Sequence, residues 1–318
     1  MSNYVKSIAQ FSLLVNTVSK KESAMYKNCK LCKRECGVDR TAGERGFCGM
    51  SDKIYISRAA LHRWEEPPIS GSRGSGTVFF SGCSLGCIYC QNREISRGRS
   101  GKEISQKRLV DIMLRLQSDG AHNINFVTPT HYAPTVISAV SDARDAGLCI
   151  PIVYNTGSYE TKETVRTLKG TVDIWLPDLK YYRAESAKKY SAAEDLPEVS
   201  RAAIAEMVQM AGEARFDENG IMQSGVIVRI LLLPMHVAEA KLNVKYLYET
   251  FGDKIYISLM SQYTPRPDLP SPLCRKVSAK EYDELVDYAL KLGVKNAFIQ
   301  DTGSADESFI PPFDYTGV

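Results

Sequence analysis

The sequence is short of the features that assign a protein at a glance. It has no strong excess of charge: 40 Lys and Arg stand against 37 Asp and Glu in 318 residues, a net +3, too little to mark a nucleic-acid partner. It has no long apolar run near its start. In "MSNYVKSIAQFSLLVNTVSKKE" the longest is Leu13–Val15, which fits neither a secretory leader nor a membrane span and reads as a short amphipathic helix. Lipidation signals, internal repeats and low-complexity segments are also missing. The expectation is a cytoplasmic protein with no membrane partner. At 44% hydrophobic and 24% charged residues, the composition is that of an ordinary folded chain, long enough for one large domain and a small accessory module.

Cysteine is scarce as well, nine in all, yet seven of the nine fall into two groups. Cys29, Cys32, Cys36 and Cys48 follow C-x2-C-x3-C-x11-C, and Cys83, Cys87 and Cys90 follow C-x3-C-x2-C. Where thiols stay reduced, such clusters are metal ligands or catalysts before they are disulfides. The four-cysteine stretch holds Gly37, Gly43, Gly46 and Gly49, which let a short chain wrap an ion, and too few apolar residues for its own core. A metal there would supply much of the folding energy. Zinc and a second iron–sulfur cluster both fit the spacing. Residues 1–55 carry ten Lys and Arg against five Asp and Glu, a solvated basic module whose charge thiolates on a divalent metal would partly offset. Cys149 and Cys274 stand alone and are expected to be buried, inert thiols.

From residue 76 onward, short β-branched runs alternate with amphipathic helical stretches. "TVFFSG" (77–82), "INFVT" (124–128), "CIPIVYN" (149–155), "VDIWLPDL" (172–179), "VIVRILLL" (226–233) and "KIYISLM" (254–260) read as strands, with "NAFIQ" (296–300) a seventh. Between them, Ser105 is placed to cap a helix carrying Leu109, Ile112, Met113 and Leu116, and Ser278-x-x-Glu281 forms a capping box. Strands separated by helices indicate βαβ units and a parallel sheet, either an open or partial (β/α) barrel or a doubly wound sheet. In both, chemistry sits in the loops after the strand C-termini. "GCSLGCIYCQN" (82–92) falls there, directly after the first strand. Gly71, Gly74 and Gly76 precede that strand and fail the context of a dinucleotide loop.

Structural zinc closes its shell with four ligands, and a cubane [4Fe-4S] cluster is usually held by four thiolates. Three thiolates on a cubane leave one iron open to a small molecule, with Tyr89 placed to cover a face of the cluster or a bound base. A zinc site with a distant fourth ligand and chance clustering are the plainer readings. C-x3-C-x-aromatic-C after the first strand of a βα repeat resembles the radical S-adenosylmethionine (radical SAM) superfamily. "CKLCKRECGVDRTAGERGFCG", "HRWEEPPISG", "NFVTPTH", "LPDLKYY", "SLMSQYTP" and "FIPPFDYTGV" together resemble its PflX group, relatives of pyruvate formate-lyase activating enzymes, over residues 28–318.

The resemblance implies an α/β fold, a partial (β/α)6 radical SAM barrel. An N-terminal helix and four-cysteine metal-binding module would occupy residues 1–65, and a core with C-terminal extension residues 66–318. It implies that Cys83, Cys87 and Cys90 hold a [4Fe-4S] cluster whose open iron chelates SAM. The catalytic set is those three cysteines. "TPT" stands where the family has a Gly-Gly-Glu-like segment for the methionine amino group, so Thr128 and Thr130 take that place without its glycines or glutamate. Asn155 and Thr156 become candidates for the ribose or carboxylate of SAM, and Asp178 and Lys180 for the area beside that carboxylate. Arg229, a lone charge in an apolar strand, needs a carboxylate: SAM, or a neighbour such as Asp178. His236, after "LLLP", stands where activating enzymes have a residue near SAM, and His131 follows "TPT". The plainer reading of each loop histidine is an ordinary surface residue, while Tyr89 is placed beside the cofactor. The implied electron donor is a flavodoxin or ferredoxin. The implied substrate is a partner protein, with a glycyl radical enzyme as the candidate. The alternatives are a small-molecule or peptide substrate, a non-catalytic iron–sulfur or zinc-binding protein and, against the small net charge, a tRNA. "TPRPDLPSP" (264–272) is a loop and a candidate lid.

Overall fold

The computed structural model describes residues 23–97, 100–300 and 310–318; the amphipathic helix expected before residue 23 lies outside them. In chain order the elements are β1 (Ile54–His62), α1 (Pro67–Ser70), β2 (Ser75–Phe80), α2 (Arg93–Ser96), β3 (Lys102–Ile104), α3 (Gln106–Ser118), β4 (Ile124–Val127), α4 (Ala133–Asp145), β5 (Ile152–Thr156), α5 (Lys162–Thr167) and β6 (Ile174–Pro177). There follow α6 (Ala184–Ser191), α7 (Leu196–Ala211), β7 (Arg215–Phe216), β8 (Met222–Leu231), α8 (Val237–Phe251), β9 (Tyr256–Met260), α9 (Ala279–Leu292) and β10 (Ala297–Ile299).

The sheet runs β10-β9-β8-β6-β5-β4-β2-β1-β3. From β2 to β10 every pairing along this path is parallel, and each parallel strand lies beside the parallel strand before it. A doubly wound sheet reverses its strand order at a switch point; this one never does, so the choice left open by the sequence falls to a barrel-like winding. The sheet does not close: β3 and β10 end the path. β1 pairs antiparallel with β2, and β3 with β1. β1 thus falls before the boundary expected at residue 65 and yet belongs to the sheet. None of the described helices is long and apolar enough to cross a membrane.

Strand alternation explains the two faces. In β8, Val226, Val228 and Ile230 join the outer core with Trp175 of β6 and the helices α7, α8 and α9. Ile227 points the other way, against Val153, Ile174, Leu176 and Ile69. Arg229 is two residues on from Ile227 and shares its face. The concave face is therefore apolar at one end and polar toward the strand C-termini. The helix signals read in the sequence are present: Ser105 accepts from Arg108 N, and Ser278 and Glu281 form the capping box. Cys149 and Cys274 correct the sequence reading, since both are exposed. Cys149 lies in the turn before β5, where Gln117 Oε1 accepts from its backbone N–H and its thiol.

Candidate functional site

At the C-terminal ends of the parallel strands lies a cavity of about 200 Å³. It is lined by Cys83, Cys87, Cys90 and Tyr89 from the loop after β2, Thr128 and Thr130 after β4, Asn155 and Thr156 at the end of β5, Asp178 and Lys180 after β6, and Arg229 in β8. Eleven of the thirteen residues read from the sequence as candidates for the cluster and cofactor site face this one space, and the two histidines do not. The first is His236. Its Nδ1 faces Pro234 O at 2.7 Å and its ring packs on Tyr190, because the chain turns through positive φ at Met235. His131 is also behind the wall, with Nε2 2.7 Å from Ser81 O. A larger, more open hollow of about 660 Å³ is lined by Pro67, His122 and Phe216 and holds none of the residues expected at the site.

The cysteine loop leaves β2 at Gly82, whose φ is 87°; a Cβ there would stand 2.9 Å from Cys48 O. Leu85 N donates to Cys83 Sγ at 3.3 Å. Cys87 Sγ lies 2.9 Å from Ser191 Oγ, which touches Tyr181 Oη at 2.7 Å, and Tyr181 donates to Tyr89 at 2.8 Å. Burial pushes the Cys90 thiol up to about 11 and the Cys83 thiol higher, and in both cases neighbouring thiols add to it. Three sulfurs close enough to feel one another in a dry pocket ionise together only when a cation takes their charge. That is the chemistry of a cluster held from one side. Among the described residues no group of three or more His, Cys, Asp or Glu is drawn together tightly enough for a single ion; the thiolates of a cubane bind separate irons and stand further apart.

Within reach of the cysteine charges, Lys180 Nζ lies 2.7 Å from Asp178 Oδ2. Burial opposes the ammonium, but Asp178 and the Cys87 thiol outweigh it and hold the Lys180 pKa above the usual lysine value. The Arg229 side chain takes other partners. Its Nε and Nη2 contact Glu66 at 2.7 and 2.6 Å, and Nη2 also binds Glu65. Burial works against this charge too, and Glu66 and Glu65 overcome it. Both glutamates come from "HRWEEPP", which carries the resemblance but gives no sign of its partner 163 residues away. Asn125 Nδ2 ties Glu65 into the same layer at 2.8 Å. Thr128 holds φ at 59°, a strained conformation for a β-branched residue of the kind that gathers at functional sites.

The four-cysteine module packs on the back of this site. Lys33 N donates to Tyr159 O, and Arg34 donates to Ser84 O at 3.0 Å and Ala192 O at 2.6 Å while its guanidinium lies over Phe47. Cys32, Cys83 and Cys87 pack against one apolar cluster that includes Leu85. Burial pushes the Cys32 thiol up to about 12, with Cys48, Cys29 and Cys36 adding to it. Phe47 N donates to Cys36 Sγ at 3.4 Å, and a Cβ at Gly46 would stand 2.8 Å from that sulfur. Arg40 is fully buried. Its hydrogen bonds go to the carbonyls of Ser51 and His131, and its guanidinium lies over Tyr26. Among its strongest electrostatic neighbours are the Cys48 and Cys29 thiols.

The family model described as the radical SAM superfamily matches residues 77–240, just over half of the chain. An uncharacterised protein of Methanocaldococcus jannaschii is 28% identical over 270 residues, covering 82% of this chain and 70% of that protein. Among solved structures, the FeFe-hydrogenase maturase HydG from Carboxydothermus hydrogenoformans superposes with a TM-score of 0.50 at 14% identity, over 92% of this chain and 70% of that one. SuiB of Streptococcus suis bound to S-adenosylmethionine gives 0.46 at 13%, over 70% of this chain and 49% of its own. The chain thus spans about half the length of the latter, and at 14% identity the likeness to HydG speaks for the fold alone.

Proposed function

The chain belongs to the radical SAM superfamily, and we propose that it is an activating-type member, taking a hydrogen atom from a partner protein at the strand-end cavity. The observation that carries this reading is the convergence, on one buried space, of three thiols and a polar wall drawn from successive strand ends, with no fourth cysteine lining it. Cys83, Cys87 and Cys90 would hold the [4Fe-4S] cluster. When bound, that group supplies the electron that splits the sulfonium of SAM into methionine and a 5′-deoxyadenosyl radical. The chain's own part is to bind, orient and keep dry. Lys180 offers a cation for the carboxylate of SAM, held in place by Asp178. Tyr89 and Tyr263, their rings edge to face at 6.2 Å, exclude water above the cysteines, and Arg266 closes the Pro-rich loop onto Ile88 O at 2.9 Å. Trp64 is 55% exposed where it lines the cavity, an aromatic rim for a macromolecular substrate. A glycyl radical enzyme is the partner class and a flavodoxin or ferredoxin the electron donor.

The Cys29, Cys32, Cys36 and Cys48 set is a second metal site in this reading, holding zinc or a second cluster on which its thiols, not gathered tightly enough for a single ion as they stand, would close. Arg40 supports it: a buried cation bonded to carbonyls and stacked on rings calls for a negative charge nearby, and four thiolates on a divalent metal carry a net charge of about −2. The test is isotopic. Reduced, cluster-loaded protein is given SAM and a candidate partner deuterated at glycine, and the label is expected in the recovered 5′-deoxyadenosine. Label from a peptide or small molecule alone would replace the substrate class. No 5′-deoxyadenosine under any condition would favour a non-catalytic iron–sulfur or zinc-binding protein.

A further inference from the structure

The last residue of α6 reaches the cysteine loop from outside it. Ser191 is fully buried at the end of the helix Ala184–Ser191, where a serine can bond back to its own helix. Among the described residues, its Oγ partners are instead Cys87 Sγ at 2.9 Å and Tyr181 Oη at 2.7 Å. Two separate ties hold it there. Ile88 N donates to Tyr190 O at 2.9 Å, and Arg34 spans from Ser84 O to Ala192 O, at 3.0 and 2.6 Å. Cys83 differs, since its donor, Leu85 N, comes from within the loop.

Counting protons gives this run of groups a direction. Tyr181 donates to Tyr89, and a hydroxyl has one proton to give. Ser191 must therefore donate to Tyr181, and the Cys87 thiol to Ser191. A thiolate bound to iron has no proton to give. With that first donor gone the order turns: Ser191 gives its proton to the sulfur, and Tyr181 turns its own from Tyr89 to Ser191. Only two hydroxyl hydrogens move, and every heavy atom stays where it is.

We propose that Ser191, oriented by Tyr181, is a positioning residue that donates a hydrogen bond to the Cys87 sulfur of the cluster and raises the cluster's reduction potential. The inference rests on Cys83, Cys87 and Cys90 holding a cluster, and goes beyond it by assigning a residue that tunes it. Hydrogen bonds to the sulfurs help set the potential of an iron–sulfur centre. Such a bond strengthens as its acceptor gains negative charge, so it favours the reduced form over the oxidised one. Ser191 lies 104 residues from Cys87, and spacing gives no sign of the pairing.

The experiment is a reductive titration of the anaerobically reconstituted protein without SAM, followed by electron paramagnetic resonance, with iron content measured alongside. Ser191→Ala should shift the reduction equilibrium roughly tenfold toward the oxidised cluster, the scale of one lost hydrogen bond. That is a potential lower by about 59 mV for one electron, and iron content should not change. Tyr181→Phe keeps the ring but leaves Ser191 unoriented, and should move the potential the same way by a smaller step. It stands as the independent variant should the alanine fail to hold its cluster. In electron–nuclear double resonance, the wild-type cluster should show an exchangeable proton that is lost in Ser191→Ala, which a merely structural serine would not produce. Unchanged potentials in both variants with iron retained would overturn the proposal, and so would loss of iron in both, by making the role structural. Wild-type protein that assembles no cluster would instead sink the reading of the three-cysteine site itself.

Discussion

The two cysteine sets lie back to back, and the difference between them is one of closure. Cys83, Cys87 and Cys90 open onto a cavity whose other lining is partly polar and paired: Lys180 with Asp178, Arg229 with two glutamates. None of the four upstream cysteines lines that cavity. Glycine turns and the buried Arg40 surround them, and their module contacts the other set's supporting loop. A site short of one thiol and facing a cavity can admit a ligand, whereas four thiols that do not line it would, on a metal, serve to hold their module together. Arg34 joins them, reaching from between Cys32 and Cys36 to the carbonyl after Cys83.

That contrast breaks most sharply under Cys87→Ala. Formation of 5′-deoxyadenosine should fall by roughly 10³-fold or more, about 4 kcal/mol in barrier, with thermal stability little changed. Cys36→Ala should do the reverse. If the four cysteines hold a metal, loss of one ligand is expected to cost several kcal/mol of stability, because metal binding is folding energy in a module whose own core is a small cluster around Tyr26 and Leu31, measured by metal content and denaturant unfolding. A Cys36 variant with unchanged metal and stability would erase the distinction.

Next in size is the buried triad. Glu66→Ala leaves Arg229 short of its bidentate partner and should cost about 3–5 kcal/mol, while the double change Glu66→Leu with Arg229→Met should recover most of that. Smaller per pH unit, though comparable over its whole window, is a pH effect. Burial first, then Arg40, lowers the His131 pKa from 6.5 to about 3, so the folded form stays neutral where the unfolded chain takes up a proton. His131 therefore contributes stability that is full above about pH 6.5 and lost as pH falls toward about 3, by about 1.4 kcal/mol per pH unit. Unfolding curves of wild type and His131→Gln should differ in slope by that amount across this window. The smallest effect expected is from Arg34→Ala, about 1–2 kcal/mol from lost hydrogen bonds, with faster loss of iron from the three-cysteine site as the readout.

Much of this was legible in the sequence because it was local. Seven β-branched runs separated by helical stretches marked the parallel strands, and the spacing of three cysteines marked the loop after the first. Non-local partners were not legible. Arg229 announced its need for a carboxylate, but Glu65 and Glu66 lie on a different approach to the sheet. β1 went unread because "IYISRAALH" pairs with a strand after it in sequence and carries no long helix between. Ser191 looked like one serine among many until the end of α6 met the cysteine loop. His236 failed for a conformational reason: one positive-φ residue ahead of it turned its ring away from the cavity.

The central claim is that the three-cysteine cavity binds SAM at an open iron while the four-cysteine site does not. The direct measurement is the electron paramagnetic resonance spectrum of the reduced, reconstituted protein with and without SAM, in wild type, Cys87→Ala and Cys36→Ala. A SAM-dependent change in the cluster signal that survives in Cys36→Ala and vanishes in Cys87→Ala is the predicted result. A spectrum indifferent to SAM, or one whose response follows Cys36 instead of Cys87, would contradict it.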